Sequence, residues 1–428
     1  MQPTFSLSRR TAFLIAGIGI LSIGALLTAF RGSRPENAIT LEPSPRRVAT
    51  GSDPSLAIRD TGDIYLMKFE SGNLWYEVSA DGGDTFGHAV RMNDVDGEVV
   101  SHAEATPRLY LRGGRPFALW QAQAANDRGS MKLRFARSMD YGKSFEKAID
   151  VDPTGPASQS FFNLGVSPQG TIYVVWLDGR DRNAGHGGHS EHGGSAIYLA
   201  RSTDGGASFG PSIRVATNSC PCCRPSIAFT DDNTVHVGFR KVFDGNVRDL
   251  AVVTSSDGGK SWANPVRVAQ DNWQINGCPH SGPSLAALGN RLFVSWFTIH
   301  EGEQQSYIFL AHSDDRGRTF SPSVSLSEGT VDPNHPFLIA ASDRLFAVFQ
   351  ARERDTNRGW GRARVYLREV SAAGRLSHLT SVPNLSASAS YPTVAFESPD
   401  KLFLAWTESV DAASNIVVTR GRLIGAGM

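Results

Sequence analysis

Polar and apolar positions in this 428-residue chain alternate in short blocks rather than helical stripes. Runs such as IYLMKF (64–69), IYVVW (172–176), LFVSW (292–296) and LFLAW (402–406) are rich in β-branched and aromatic residues and are bounded by Gly, Asp and Asn. That is the pattern of strands between tight turns. Each run is the second half of a longer unit: a strand that often opens with X-Pro, a turn, then the apolar run. The unit occurs seven times, opening near Asp53-Pro54, Thr106-Pro107, Phe162, Arg224-Pro225, Gly282-Pro283, His335-Pro336 and Tyr391-Pro392.

A second signature interleaves with the first. It reads Ser79-x-Asp81-x-Gly83-x-x-Phe86, and recurs around Asp140, Asp204, Asp257 and Asp315, closing on Phe145, Phe209, Trp262 and Phe320. The aspartates stand 59, 64, 53 and 58 residues apart, and self-similarity at such a period means one supersecondary unit stacked several times. Physically the motif is turn chemistry: the carboxylate accepts from nearby N–H groups and the Gly takes a positive φ. Each copy is predicted to staple a β-hairpin, with the aromatic packed beneath it, so these aspartates are structural rather than catalytic.

Four strands per repeat predict a propeller blade. The sixth repeat keeps only Ser371-Ala-Ala-Gly-Arg375 of the signature, and the seventh ends one strand short after Ile416–Arg420. Arg47-Val-Ala-Thr50 precedes the first repeat as Arg214–Thr217 and Arg267–Gln270 precede later ones. It is therefore expected to supply the missing strand. The prediction is an all-β, seven-bladed β-propeller with Asp-box hairpins over residues 45–428, its ring closed by an N-terminal strand.

The first 30 residues read as export. Arg9-Arg10 precedes twenty uncharged residues, Thr11–Phe30, and Arg31 follows; Ser8-Arg9-Arg10-Thr-Ala-Phe13-Leu resembles a twin-arginine signal. Twenty such residues can span a bilayer. The expectation is an uncleaved signal-anchor in residues 11–30, a linker over 31–44, and a propeller on the periplasmic or extracellular side; a cleaved signal is the alternative. Zero net charge gives no footing for nucleic acid.

In a four-stranded meander the Asp boxes mark one face, and the longer loops share the other, where function usually sits. All four cysteines fall there: Cys220-Pro-Cys222-Cys223 and, one repeat later, Cys278-Pro-His280. So do His102, His300, His335 and the blade-three loop with His186, His189 and His192. Two readings stand for the cysteines. Outside the cytoplasm they pair as disulfides, although neighbouring cysteines crowd one another's partners. Alternatively Cys220, Cys222, Cys223, Cys278 and His280 hold a soft metal, copper or zinc.

The S-x-D-x-G-x-x-[FW] boxes resemble those of the sialidase-like Asp-box (BNR repeat) propellers over about 45–425. The resemblance implies an exo-glycosidase acting on terminal sialic-acid-like sugars, with three arginines on the substrate carboxylate, a Tyr nucleophile paired with a Glu, and an Asp acid/base. A guanidinium fork suits a carboxylate, and Tyr avoids presenting an anionic nucleophile to an anionic sugar. Tyr391, Arg108 and Arg224 are the positions that could match; Arg240, Arg352 and Arg354 follow second strands. The chain departs from the family at Asp53-Pro-Ser-Leu, where an Arg-Ile-Pro stretch is expected, and its seven repeats exceed the sialidase ring of six. No other catalytic signature occurs.

Three functions are compatible with these residues. The first is an extracytoplasmic binding protein with a Cys/His soft-metal site, taking a metal ion or small ligand on its loop face. The second is a sialidase-type glycosidase with a glycan substrate. The third is a disulfide-stabilised platform for another exported protein.

Overall fold

Two-residue connections such as Ser71-Gly72, Gly113-Gly114 and Gly289-Asn290 admit only antiparallel neighbours, so each repeat folds as a meander. The computed structural model describes residues 38–102, 104–124, 130–155, 158–181, 195–355, 359–383, 387–410 and 413–424. The predicted anchor (1–30), part of the predicted linker, and His186, His189 and His192 lie outside the described residues.

Among the described residues every regular element is a strand, apart from one 3-10 turn at Asp244–Asn246. The first sheet runs Ser52–Ile58, Ile64–Glu70, Asn73–Ser79 and Val90–Arg91 in sequence order. The same order recurs in the second to sixth repeats, and the third and fourth are joined by a single pairing, Ser219 with Lys241. In the last sheet Arg46–Thr50 lies antiparallel on Ala413–Ile424. Ala38–Leu41 pairs further along the same strand, Ala38 opposite Ile424. Residues 38–41 therefore belong to the sheet and not to the linker that the sequence suggests; a four-residue strand followed by Glu42-Pro43 carries too little pattern to be read.

The second strands explain the apolar runs. Every residue of Ile172–Asp178 is buried, because the sheets lie face to face and cover both sides of one another. Trp176, Trp296 and Trp406 occupy the same place in their sheets with no exposed surface. Their indoles donate to Asp178, Asp271 and Glu408 at 2.8, 2.7 and 3.1 Å. The first and last sheets share a core: Leu56, Ile64 and Leu66 pack with Phe403, Ile416 and Val418.

The Asp boxes form closed networks. In the second, Ser138 Oγ donates to Asp140 (2.8 Å) and accepts from Gly142 N–H (2.7 Å), while the Ser144 hydroxyl and N–H donate to Asp140 (2.6 and 2.9 Å). The same bonds recur around Asp81, Asp204, Asp257 and Asp315. Phe145 packs edge-on against Tyr76 of the preceding sheet, centroids 5.4 Å apart. Gly142 has φ of 91°, and a Cβ there would stand 2.4 Å from the Tyr76 hydroxyl. The box thus staples its own hairpin and docks it on the neighbouring sheet.

Candidate functional site

The first strands enter through bulges. Register shifts fall between Ser52 and Ser55, Ser160 and Phe162, Asn334 and Phe337, and Ser390 and Thr393. At each bulge a non-glycine residue sits at positive φ: Asp53 (51°), Phe161 (45°), His335 (51°) and Tyr391 (49°). Three of them precede proline, which normally imposes extended backbone. Left-handed non-glycine residues cost about 1–3 kcal/mol each and concentrate at functional sites, and bulges re-aim side chains.

Asp53, His335 and Tyr391 meet at a cavity of about 340 Å³ lined from the first strands or the residues just before them. Its walls include Asp53, Arg108, Asn163, Arg224, Ser284, His335 and Tyr391, one contribution from each of the seven repeats. Tyr391, Arg108 and Arg224, which the sequence singles out, are therefore brought together.

Glu104 anchors the charged side of the cavity and is 3% exposed. Its carboxylate accepts from His335 Nδ1 (2.9 Å), from Arg224 N–H (3.3 Å) and from Gly282 N–H, with the Arg224 guanidinium at 4.0 Å. Burial alone would raise its pKa. The Arg224 charge, His335 and the Gly282 N–H outweigh burial and hold it at about 2. A Cβ at Gly282 would clash with Arg224 O, so only glycine lets the two segments approach this closely. The ionised carboxylate only accepts; His335 therefore carries hydrogen on Nδ1, and in the neutral ring Nε2 keeps its lone pair.

Arg108 faces this group within the field of Glu104 and Asp53 but bonded to neither. Among the described residues its guanidinium makes no hydrogen bond or ion pair, and its Nε is buried without a partner. Burial first, then the like charge of Arg224, draws its pKa down. The Arg224 Nε is likewise unpartnered. Tyr391 stacks obliquely on His335 at 5.3 Å, and burial, then Asp53 and Glu104, pushes its phenol up to about 12. Burial also raises Asp53, against the hydroxyls of Ser101 and Ser52 and the charge of Arg108.

The other arginines serve elsewhere. Arg240 is buried and donates to the carbonyls of Arg248, Ser281 and Phe297 at 3.0, 3.1 and 2.7 Å. Arg352 pairs with Asp332, and the Arg354 side chain is outside the described residues. Two arginines, not three, line the cavity among the described residues.

The cysteines form a second group. Cys220 Sγ lies 3.5 Å from Cys222 Sγ and 3.8 Å from Cys223 Sγ, and all three sulfurs fall within 4.8 Å of one another. Such a cluster could hold a metal. Arg248 donates to Cys220 Sγ at 3.4 Å. Bonds from Cys222 and Cys223, helped by Arg240 and Arg248 against burial, draw the Cys220 thiol down. Its bonds to Cys220 push Cys222 up, and burial pushes Cys223 up. Cys278 and His280, expected in the same ligand set, stand outside it among the described residues. Cys278 is half-buried against the core, and the exposed His280 ring lies 6.2 Å from Phe161, which His102 also packs against. No sulfur–sulfur bond joins the four cysteines, so the two-disulfide expectation is not met in this structure.

Glu104 and Asp53 were not among the site residues expected from the sequence, and His335 was placed on the loop face without a role. The signal for His335 and Asp53 was their place before proline at the head of a repeat; Glu104 had none, since its partners are 120, 178 and 231 residues away.

No curated protein matches this chain. Among solved structures it is similar to a protein of unknown function from Dyadobacter fermentans, at 14% identity and TM-score 0.50, covering 91% of this chain and 98% of that one. It is also similar to an ulvan lyase, a polysaccharide lyase bound to an oligosaccharide, at 12% identity and TM-score 0.53, covering 90% and 96%. A sialidase of Streptococcus pneumoniae matches at 10% identity and TM-score 0.48, covering 91% and 98%. The BNR repeat-like domain model matches residues 100–402. With most of its length matched, and with five sialidase-type Asp boxes, the chain belongs to the BNR repeat-like domain family.

Proposed function

We propose that this is an exported, glycan-active propeller whose axial cavity receives the carboxylate of an acidic sugar. In this reading the seven meanders are blades of one ring, closed by Arg46–Thr50 on the last sheet, and residues 11–30 tether it to a membrane. A cavity lined from all seven repeats and the shared core of first and last sheets support the ring. The observation that carries the function is Arg108: a guanidinium with a buried, unpartnered Nε, beside Arg224, facing the cavity. Glu104 and Asp53 offset part of its charge without bonding to it, and a carboxylate ligand would supply the missing charge-assisted bonds. Tyr391 would donate a proton or hydrogen bond, and His335 Nε2 would accept one. Hydrolysis of a terminal sialic-acid-like sugar needs a third arginine, so carboxylate recognition stands ahead of it. A glycan array probed with the purified protein tests the reading. Sialylated or uronate-bearing glycans should be retained and neutral ones should not; retention indifferent to the carboxylate would refute it.

A second reading rests on a separate observation, the three buried thiols within 4.8 Å of one another. Here the protein also binds a soft metal ion, copper or zinc, through Cys220, Cys222 and Cys223. Elemental analysis with a thiol count tests it: a stoichiometric metal supports the site, and none after reduction and reconstitution rejects it.

A further inference from the structure

We infer that the cysteine group is a three-coordinate site for a monovalent soft ion, Cu(I), and not a zinc site. The inference rests on the metal reading above and adds the identity and charge of the ion. Two observations carry it, ligand number and charge.

Three sulfurs converge, and among the described residues no imidazole, carboxylate or fourth thiol joins them within the same reach. Metal–thiolate bonds of about 2.3 Å place the corners of a planar sulfur triangle roughly 4 Å apart. The separations of 3.5 and 3.8 Å need little adjustment to reach that spacing. Zn(II) is almost always four-coordinate, and a site with three protein ligands fills its fourth place with water or substrate. Cys220, Cys222 and Cys223 are 0%, 4% and 0% exposed, which leaves little room for water. Cu(I) is favoured by soft thiolates, and three sulfurs complete its shell.

Charge points the same way. Arg248 donates to Cys220 Sγ, and Arg240 donates to the Arg248 carbonyl and accepts at its own carbonyl from Cys220 N–H (2.8 Å). Both guanidiniums are 1–2% exposed. Three thiolates beside two guanidiniums leave one negative charge. A monovalent ion brings the buried site to zero, whereas a divalent ion leaves it positive, and uncompensated buried charge is strongly disfavoured. Loading is an exchange: the ion enters and the remaining thiol protons leave to solvent, with no change of oxidation state.

The experiment uses the reduced full-length protein under anaerobic conditions, titrated with Cu(I) against bicinchoninate and with Zn(II) against a competing chelator. X-ray absorption then counts the sulfur ligands. One Cu(I) per chain with three sulfur neighbours is expected, at least 100-fold weaker in Cys222→Ser and unchanged in Cys278→Ser. Arg248→Gln, which removes one positive charge, should lower the preference for Cu(I) over Zn(II) at least tenfold, and Arg248→Lys should retain it. A four-ligand shell that depends on Cys278, or a preference indifferent to Arg248→Gln, overturns the monovalent assignment and leaves the metal reading intact. Binding of neither ion at stoichiometry overturns both.

Discussion

Glu104 shows how a single buried residue can organise a site assembled from distant parts of the chain. Its carboxylate holds together Arg224, Gly282 and His335, so Glu104→Gln leaves Arg224 and His335 without their counter-charge. Breaking a buried ion pair by removing one partner costs about 3–5 kcal/mol, and chemical denaturation should show a loss of that order. The pH dependence has a defined sign. The carboxyl is held at about 2, below its ordinary 4.5. Its contribution is therefore complete above about pH 4.5 and lost as pH falls through 2. The stability gap between wild type and Glu104→Gln should close over that interval; a gap undiminished at pH 2 would contradict a carboxylate that titrates near 2 in the fold. Arg108 predicts a different effect. Since it stabilises little in the fold, Arg108→Ala should leave the melting temperature nearly unchanged.

At the scale of the element, the Asp-box hairpin does two jobs, and each can be tested. The hydroxyl and N–H of Ser144 and the Ser138 hydroxyl hold Asp140 at about 2, and the other four boxes hold their aspartates low by the same bonds. Depressed carboxylates contribute stability above their unfolded pKa and lose it as pH falls through the folded one. With five boxes acting together, acid unfolding should steepen below pH 4, and Asp204→Asn should lower the melting temperature by roughly 2 °C. Docking on the next sheet is a packing matter. Gly142→Ala adds both positive-φ strain and a clash with Tyr76, so it should cost about 2 kcal/mol, measurable by urea titration. An alanine there that costs nothing would mean that the box does not bear on its neighbour.

For the whole molecule, the last sheet borrows its outer strands from the N-terminus, through Arg46–Thr50 and Ala38–Leu41. Removing residues 38–50 should expose the edge of Ala413–Ile424, lower the melting temperature by several degrees and promote association through the open edge; an unchanged monomer would contradict this. Much of that architecture was legible in the sequence, because strand and turn chemistry are local: the boxes, the X-Pro heads of the repeats and the pairing of Arg46–Thr50 all follow from short patterns. The site was legible only in part. Tyr391, Arg108 and Arg224 could be placed at strand heads, but their meeting with Glu104 depends on contacts across several sheets. Likewise Cys220, Cys222 and Cys223 converge because one loop carries them, while Cys278 and His280 share the loop face without reaching that group. The proposed carboxylate site at Arg108 is tested by calorimetric titration of N-acetylneuraminate and glucuronate into wild type and Arg108→Ala. Binding of at least one acidic sugar is expected, with a loss of at least tenfold in Arg108→Ala and no binding of glucose. Equal affinity in the two proteins, or binding of neither acid, would contradict it.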